Sequence, residues 1–178
     1  MSSGTNPALI YYYFGDKVGL YRQVLGRLGQ ALAESALKAG AATSQDAADQ
    51  VRAIVTAQTE LLARHPQAVL LLVRELLDHQ AAHAQPVIHH LASQVFRPVV
   101  DAIEAGKARG DFRPDLNAEF AVISTLSQLV YFAMAKPIVR ILLGKTQDYP
   151  DADAIRAFGR HAAGFALGGM GVGRQRSP

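Results

Sequence analysis

Apolar residues recur at three- and four-residue spacing along most of this 178-residue chain, and that spacing strongly limits the fold. Such a period places apolar side chains on one face of an α-helix, whereas strands require strict alternation between turns, which no segment shows. The first long stripe consists of Leu20, Val24, Leu28, Leu32 and Ala36. The sequence therefore predicts an all-α helical bundle.

Helix-start and helix-end residues divide the chain into six predicted helices. Ser44 is a suitable N-cap for the second helix, Gly110 ends the fourth, and Pro137 should kink the fifth. The glycine-rich segment 168–178 is predicted to be a disordered tail. The predicted helices span about residues 17–38, 44–65, 67–79, 87–109, 117–143 and 151–167.

The composition is typical of a globular protein, with 49% hydrophobic and 19% charged residues and a formal net charge of +3. That charge permits an anionic partner but does not by itself indicate one. The absence of cysteine excludes disulfides, thiolate metal ligands and a cysteine nucleophile. The apolar run Ala68–Val73 is too short to span a bilayer, and no secretion signal is evident. The predicted location is the cytoplasm, without a membrane partner.

Residues 6–17 form the most specific motif of the chain. Asn6 is a good N-cap, and Pro7 suits the first helical position, where its missing N–H costs nothing. The three tyrosines at 11–13 are spread around a helix at about 100° per residue, so at least one must face outward. Tyrosine hydroxyls followed closely by Lys17 are well suited to contacts with phosphates and base edges.

This motif resembles the end of the helix-turn-helix of TetR-family transcriptional regulators, where the recognition helix ends in an aromatic cluster followed shortly by lysine. Gly4 stands at the turn, Phe14 ends the cluster, and Thr5 replaces a residue that is usually apolar. The alternative is an aromatic cluster that caps a helical core, with a solvated lysine. The resemblance implies a DNA-binding set of Asn6, Pro7, Ala8, Leu9, Tyr11, Tyr12, Tyr13 and Lys17.

A complete DNA-binding domain of the TetR family has two further helices before this turn. The resemblance therefore implies that the first two helices are missing from this chain. We expect residues 1–20 to be a remnant of the helix-turn-helix, residues 21–170 to form a ligand-binding and dimerisation domain, and residues 171–178 to form a tail. Operator DNA is then expected to be a partner of the intact protein.

From about residue 68 to residue 144 the chain is similar to the ligand-binding domain of a TetR subgroup named for a cephalosporin- and chloramphenicol-responsive regulator. This similarity implies a small-molecule effector of drug-like or aromatic character. The segments that carry it are Arg74-Glu75, Phe96-Arg97-Pro98, Ser127-Gln128, Tyr131-Phe132, Pro137 and Leu142-Leu143-Gly144.

Five polar residues on predicted apolar helices are candidates for contacts with that effector. A polar group in apolar surroundings must be satisfied by a neighbour, by water or by a ligand. The alternatives are a structural ion pair on the third helix and hydrogen bonds between helices on the fifth. The candidate ligand-binding residues are Arg74, Glu75, Ser124, Gln128 and Tyr131.

The six histidines raise the question of a metal site. His79 and His83 have a spacing that would align two imidazoles on a helix. However, Pro86 intervenes before the next histidine pair, and only Asp78 offers an acidic ligand at helical spacing. We therefore predict solvated or capping histidines, no metal site and no cofactor.

The last predicted helix is rich in small residues, which let helix backbones approach closely. Its partner could be the preceding helix of the same chain or a second subunit. The family resemblance implies the second arrangement, a four-helix interface made by the last two helices of each subunit. We predict a homodimer with Gly159, Ala163 and Gly164 in the interface.

Together these features predict a ligand-responsive transcriptional regulator. In this interpretation a repressor binds operator DNA as a homodimer and is released by a small apolar or aromatic effector. The alternative is a stand-alone helical ligand-binding or interaction protein without DNA binding. An enzyme is not predicted, because the sequence has no phosphate-binding loop, no cysteine and no evident pair of carboxylates.

Overall fold

The computed structural model describes residues 15–41 and 46–171, and the regular elements in these ranges are helical, which confirms the all-α prediction. The DNA-binding prediction for residues 6–13 lies outside the described residues, as do Ser44, the Lys17 side chain and residues 172–178. The elements of the described ranges are α1 (Lys17–Ala41), α2 (Ala47–Arg64), α3 (Pro66–His79), α4 (Gln85–Leu91), a π-helical turn (Ala92–Phe96), α5 (Arg97–Arg109), α6 (Ala118–Met134), α7 (Lys136–Leu142) and α8 (Ala152–Met170).

Side-chain caps determine where several of these helices begin. The Asp46 carboxylate accepts a hydrogen bond of 2.7 Å from the backbone two residues on, so Asp46 caps α2 in place of the predicted Ser44. Asn117 caps α6 and Asp151 caps α8 in the same way, at 2.9 and 2.8 Å. At the other end of α5, Gly110 has a φ of 83° and ends the helix as predicted.

Two prolines interrupt the predicted helices in different ways. Pro98 has no N–H and would clash with the preceding turn, and the helix is widened just before it. There the Arg97 N–H donates to the Ala92 carbonyl five residues back, which is the π-helical pattern. Pro137 lies in the first turn of α7, and the chain bends by 86° between α6 and α7. The predicted kink is therefore a complete break at Ala135.

The last helix is longer than predicted. α8 continues to Met170, so Gly168 is helical and does not begin a tail. The Met170 side chain is buried, and its carbonyl accepts a 3.0 Å hydrogen bond from the Arg113 backbone. This contact attaches the end of α8 to the loop after α5 and stabilises a glycine-rich turn that has low helix propensity on its own.

The main core lies between α2, α5, α6 and α8. At the contact between α2 and α8, a Cβ atom added to Gly159 would lie 2.8 Å from Thr59 Cβ, so only glycine fits without a shift. The core continues through the aromatic rings of Phe132 and Phe158, which stack at a centroid distance of 4.0 Å. Further buried members of this core are Val51, Val55, Ile103, Leu129 and Ile155.

A smaller apolar cluster attaches α1 to α3 and α4. Leu25 on α1 is fully buried and packs with Ala84 and Val87. Gly29 permits this close approach, because a Cβ atom there would overlap the Val87 side chain. α1 therefore contacts both α2 and the α3–α4 region, and it runs unbroken across the domain boundary predicted at residue 20.

The most apolar helix, α6, is followed directly by α7. Within residues 15–41 and 46–171, no single helix has both the length and the apolar character needed to cross a membrane. α6 and α7 reach the required length and composition only when they are taken together, and they are bent by 86°.

Candidate functional site

An open cleft of about 580 Å³ lies between α1, the end of α2 and α3. Small-molecule sites commonly have volumes of about 300–1,000 Å³. The walls are mostly apolar, and the polar groups come from the end of α2 and from α3. The lining residues are Val24, Leu28, Arg64, His65, Gln67, Leu70, Leu71 and Arg74.

Two arginines place positive charge along the cleft. Arg64 donates to the Glu60 carboxylate at 2.8 Å, so its charge is partly compensated. Arg74 is exposed, and it forms no ion pair with any residue that the structure describes. A planar guanidinium group beside apolar walls is suited to the carboxylate of an otherwise apolar molecule.

Glu75, adjacent to Arg74, is only 1% exposed and is satisfied by two histidines. The His83 backbone N–H donates to Glu75 Oε1 at 2.7 Å. The other carboxylate oxygen, Oε2, lies 3.3 Å from His79 Nδ1 and 3.4 Å from His83 Nδ1. We refer to Glu75, His79 and His83 as the Glu75 cluster.

The turn between α3 and α4 brings the third member of this cluster into place. α3 ends at His79, and Gln80 and Ala81 follow with φ angles of 50° and 63°. This left-handed backbone reverses the chain, although neither residue is glycine. His79 lies one helical turn from Glu75, whereas His83 reaches Glu75 only through the reversal.

The electrostatics of the cluster favour an ionised carboxylate. Burial is the largest influence on Glu75 and by itself raises its pKa, but the hydrogen bonds and the nearby imidazole of His83 outweigh burial. The pKa of Glu75 therefore lies below its ordinary value. Tyr21 on α1 lies beside both imidazoles, and burial, followed by the negative charge of Glu75, raises the pKa of the Tyr21 phenol.

The three candidate ligand residues on α6 lie apart from this region. Ser124 and Tyr131 are exposed, and Gln128 Nε2 donates to the Ser124 carbonyl at 3.2 Å. None of these three lines the cleft that contains Arg74. Inside the bundle, a cavity beside Leu126 has a volume of about 20 Å³, room for about one water molecule. The five predicted residues are therefore distributed over the cleft, the Glu75 cluster and the α6 surface.

Of the three residues predicted at a subunit interface, two face the core of their own chain. Gly159 packs against Thr59 on α2, and Ala163 is part of the main core. Gly164 lies on the exposed side of α8, where an added Cβ would have no neighbour within 4 Å. Phe165 beside it is 67% exposed. Within one chain, Gly159 and Ala163 therefore serve helix packing, whereas Gly164 lies on the surface.

The contact between Glu75 and the two histidines was not predicted from the sequence. The four-residue spacing of Glu75 and His79 on one helix was a usable signal, because such pairs lie on the same face. Asp78, which was considered as an acidic partner, is exposed. His83 carries no such signal, since its position depends on the reversal at Gln80.

A helical bundle with an apolar cleft between its helices belongs to an architecture in which ligand-binding domains are common. Comparison with known proteins gives the family: residues 48–161 match the model described as the tetracycline repressor-like, C-terminal domain. The chain is also 34% identical over 135 residues to the HTH-type transcriptional repressor NicS of Pseudomonas putida. The chain belongs to the TetR family.

The match to NicS covers 72% of this chain and 60% of the relative, so the chain spans about three fifths of that protein's length. The family predicted from the sequence is confirmed by both matches. The subgroup and the division into three parts stay predictions.

Proposed function

We propose that the intact protein is a transcriptional repressor that binds operator DNA as a homodimer and releases it when a small apolar or aromatic acid binds. Family membership supports the regulator class, and the relative NicS is named as a transcriptional repressor. The position of the cleft is the observation that carries the effector part of this proposal. α1 forms one wall of the cleft through Val24 and Leu28.

α1 connects the cleft to the segment that the sequence assigns to DNA recognition. This helix begins at Lys17, directly after that segment, and reaches the cleft within about two turns. An effector shifts a conformational equilibrium only as far as it binds one state better than the other. A ligand held between Val24 on α1 and Arg74 on α3 favours one spacing of these helices and thereby changes the tilt of α1.

The tilt of α1 matters because a dimeric DNA-binding protein must contact both half-sites of its operator. Recognition helices of such dimers enter successive major grooves about 34 Å apart. A change of tilt in both subunits alters that separation and lowers the affinity for the operator. DNA release follows from the geometry of the dimer, without any direct contact between effector and DNA.

Exposed apolar side chains on α6 and α8 support the homodimer. These helices pack side by side; α6 presents the exposed apolar side chains of Phe120, Ile123 and Val130 to the outside, and α8 presents Phe165. Phe120 on α6 and Phe165 on α8 are both 67% exposed, and Ile123 is 51% exposed. Large contiguous apolar patches are typical of protein interfaces. A symmetric pairing would bury these side chains against their copies in the second subunit.

The DNA contacts proposed from the sequence are tested through Lys17. A lysine that contacts a phosphate contributes to affinity for every DNA sequence and releases about one counterion. We expect Lys17→Ala in the intact protein to weaken binding to all duplexes about equally and to reduce the salt slope by about one. An unchanged affinity and slope in a fluorescence anisotropy titration would contradict the phosphate contact.

The effector is tested with paired ligands of similar shape, one charged and one neutral. A panel of aromatic carboxylic acids and their neutral amides is screened by thermal shift against the wild type and Arg74→Gln. We expect some acids, but not their amides, to raise the melting temperature, and the substitution to weaken those acids at least about tenfold, as expected for a lost charge-assisted pair. The same acids should lower the affinity of the intact protein for a duplex selected from a random library.

Two further variants test where on the protein the ligand binds. Arg97→Gln removes an exposed arginine on α5 that pairs with Glu119, and it should leave acid binding unchanged. Gln128→Ala tests the α6 surface predicted from the sequence. If acid binding depends on Gln128 and not on Arg74, the ligand binds at α6 and not in the cleft. A panel in which no acid binds would contradict the effector proposal.

A further inference from the structure

The Glu75 cluster holds three potential metal ligands close together. One nitrogen of each imidazole and one carboxylate oxygen all lie within 4.8 Å of one another. From these residues we propose that Glu75, His79 and His83 form a binding site for a divalent transition metal ion of the zinc class, with one coordination position left open.

The distances in the cluster match separations between ligands on a common ion. Zinc binds nitrogen and oxygen ligands at about 2.0–2.2 Å in tetrahedral geometry, so neighbouring ligand atoms lie about 3.3–3.5 Å apart. Glu75 Oε2 is 3.3 Å from His79 Nδ1 and 3.4 Å from His83 Nδ1. Two of the three separations among the three ligand atoms therefore already match those of a tetrahedral site.

The same distances are long for charge-assisted hydrogen bonds. Charge-assisted N–H···O hydrogen bonds are about 2.7–2.9 Å. The hydrogen bond from the His83 backbone N–H to Glu75 Oε1 has that length, 2.7 Å. Both contacts of Oε2 with the imidazole nitrogens are longer. One oxygen is held tightly by the backbone, and the other faces two imidazole nitrogens at the separation that a shared ion would give.

The protein holds the cluster in a defined orientation. The backbone bond to Oε1 fixes the carboxylate plane, which is the usual role of an outer partner of a metal ligand. Glu75 is almost fully buried, so its orientation is constrained by packing as well. The His79 and His83 rings lie edge to face with centroids 4.6 Å apart, and His79 is 46% exposed and has room to turn toward an ion.

The donor types favour zinc over other cations. Two imidazoles and one carboxylate are the ligands of many zinc sites that keep a fourth position for water or another ligand. Magnesium and calcium prefer sites made mainly of oxygen atoms. On the α1 side of the cluster, the Tyr21 ring lies 6.2 and 6.1 Å from the two imidazole centroids.

Metal binding is measured on the full chain after treatment with a chelator and removal of that chelator. Zn²⁺ is titrated by calorimetry, and Co²⁺ is added as a spectroscopic substitute that gives strong visible absorption only in a four- or five-coordinate site. We expect one ion per chain, intense cobalt absorption that Zn²⁺ displaces, and a Zn²⁺-dependent rise in melting temperature.

Variants assign the ion to this cluster. Glu75→Gln and His83→Ala should weaken Zn²⁺ binding at least about tenfold, since loss of an outer partner already costs about 10–100-fold. His79→Ala removes a half-exposed side chain, so we expect this variant to fold like the wild type. The control is the double substitution of His89 and His90 by alanine, which removes two exposed histidines on α4.

Three binding results would overturn the metal site. They are the absence of one-to-one Zn²⁺ binding by the wild type, unchanged affinity in folded His79→Ala, and loss of binding in the His89 and His90 double variant. A weak cobalt spectrum typical of six water-like ligands would also contradict it. The cluster would then be a buried hydrogen-bonded group only.

Discussion

Gly159 and Gly26 are both helical glycines, but only Gly159 lies where a side chain would overlap a neighbouring helix. A Cβ atom at Gly159 would meet Thr59 Cβ at 2.8 Å, and Thr59 is itself held by a hydrogen bond of 2.6 Å to the Val55 carbonyl. At Gly26 on α1 an added Cβ meets nothing within 4 Å. Helix propensity favours alanine at both positions by about 1 kcal/mol, so packing decides the difference.

We expect Gly159→Ala to destabilise the protein relative to Gly26→Ala. Overpacking a close helix contact costs about 1–3 kcal/mol, so the free energies of unfolding of the two variants should differ by about that amount. Urea unfolding monitored by circular dichroism measures the difference. Adding Thr59→Ala should restore much of the loss, because it removes the overlapping side chain. Equal stabilisation by both alanine substitutions would contradict this description of the contact.

The sequence could supply the members of the candidate site but not their arrangement. Arg74 and Glu75 were selected as polar residues on an apolar helix, yet adjacent helical positions differ by about 100° and therefore face different surroundings. Whether Glu75 meets His83 depends on two non-glycine residues with positive φ, which no local propensity predicts. The α6 residues were chosen by the same polarity argument, and they lie on a different surface.

At the scale of elements, α2 and α8 are joined by an ion pair between residues far apart in sequence. Arg156 Nε donates to Glu60 Oε2 at 2.8 Å, and Arg64 donates to Glu60 Oε1. The Arg156 side chain is the largest cause that lowers the pKa of the Glu60 carboxyl, to about 2, and Arg64 is the next. The pair lies beside the Thr59–Gly159 contact in sequence and reinforces the same helix packing.

This ion pair predicts a pH dependence of stability. Because the pKa of Glu60 is lower in the folded protein, its contribution is fully present above the ordinary value of 4.5 and is lost as the pH falls toward about 2. We expect Glu60→Gln to lower the urea midpoint at neutral pH. The difference in midpoint between wild type and variant should shrink as the pH falls from 4.5 to about 2. Glu119→Gln, which removes an exposed carboxylate on α6, is the control. A difference that stays constant down to pH 2 would contradict the assignment.

Helices were predictable here because their ends carry local signals. Asn117, Gly110 and Pro137 act through their own backbone or side chain. The helix predicted to begin near residue 117 and the helix end predicted at Gly110 are confirmed, whereas Pro137 breaks the helix that it was predicted only to kink. The π-helical turn before Pro98 was not predicted, since a helix can meet a proline by ending, bending or widening. The extension of α8 to Met170 depends on contact with the loop after α5, which is tertiary information.

At the scale of the whole molecule, successive turns of α1 contact both candidate sites. Tyr21 lies beside the Glu75 cluster, and Val24 and Leu28 line the cleft. α1 is attached to the rest of the chain through α2 and the α3–α4 region, so either site can act on its position. A ligand in the cleft and an ion at the cluster would then be coupled through one helix, without contact between the two ligands.

The proposed homodimer predicts that one exposed phenylalanine has a large effect on assembly. Burial of a phenylalanine side chain contributes about 1.5–3 kcal/mol, and a symmetric interface counts Phe165 twice, so its loss should weaken dimerisation at least about a hundredfold. We expect Phe165→Glu to sediment as a monomer at micromolar concentration with unchanged helical circular dichroism. Leu77→Glu is the matched control, because Leu77 is 75% exposed and belongs to α3, which is not part of the proposed interface. A monomeric wild type, or a dimer that Leu77→Glu disrupts while Phe165→Glu leaves it intact, would contradict the proposed interface.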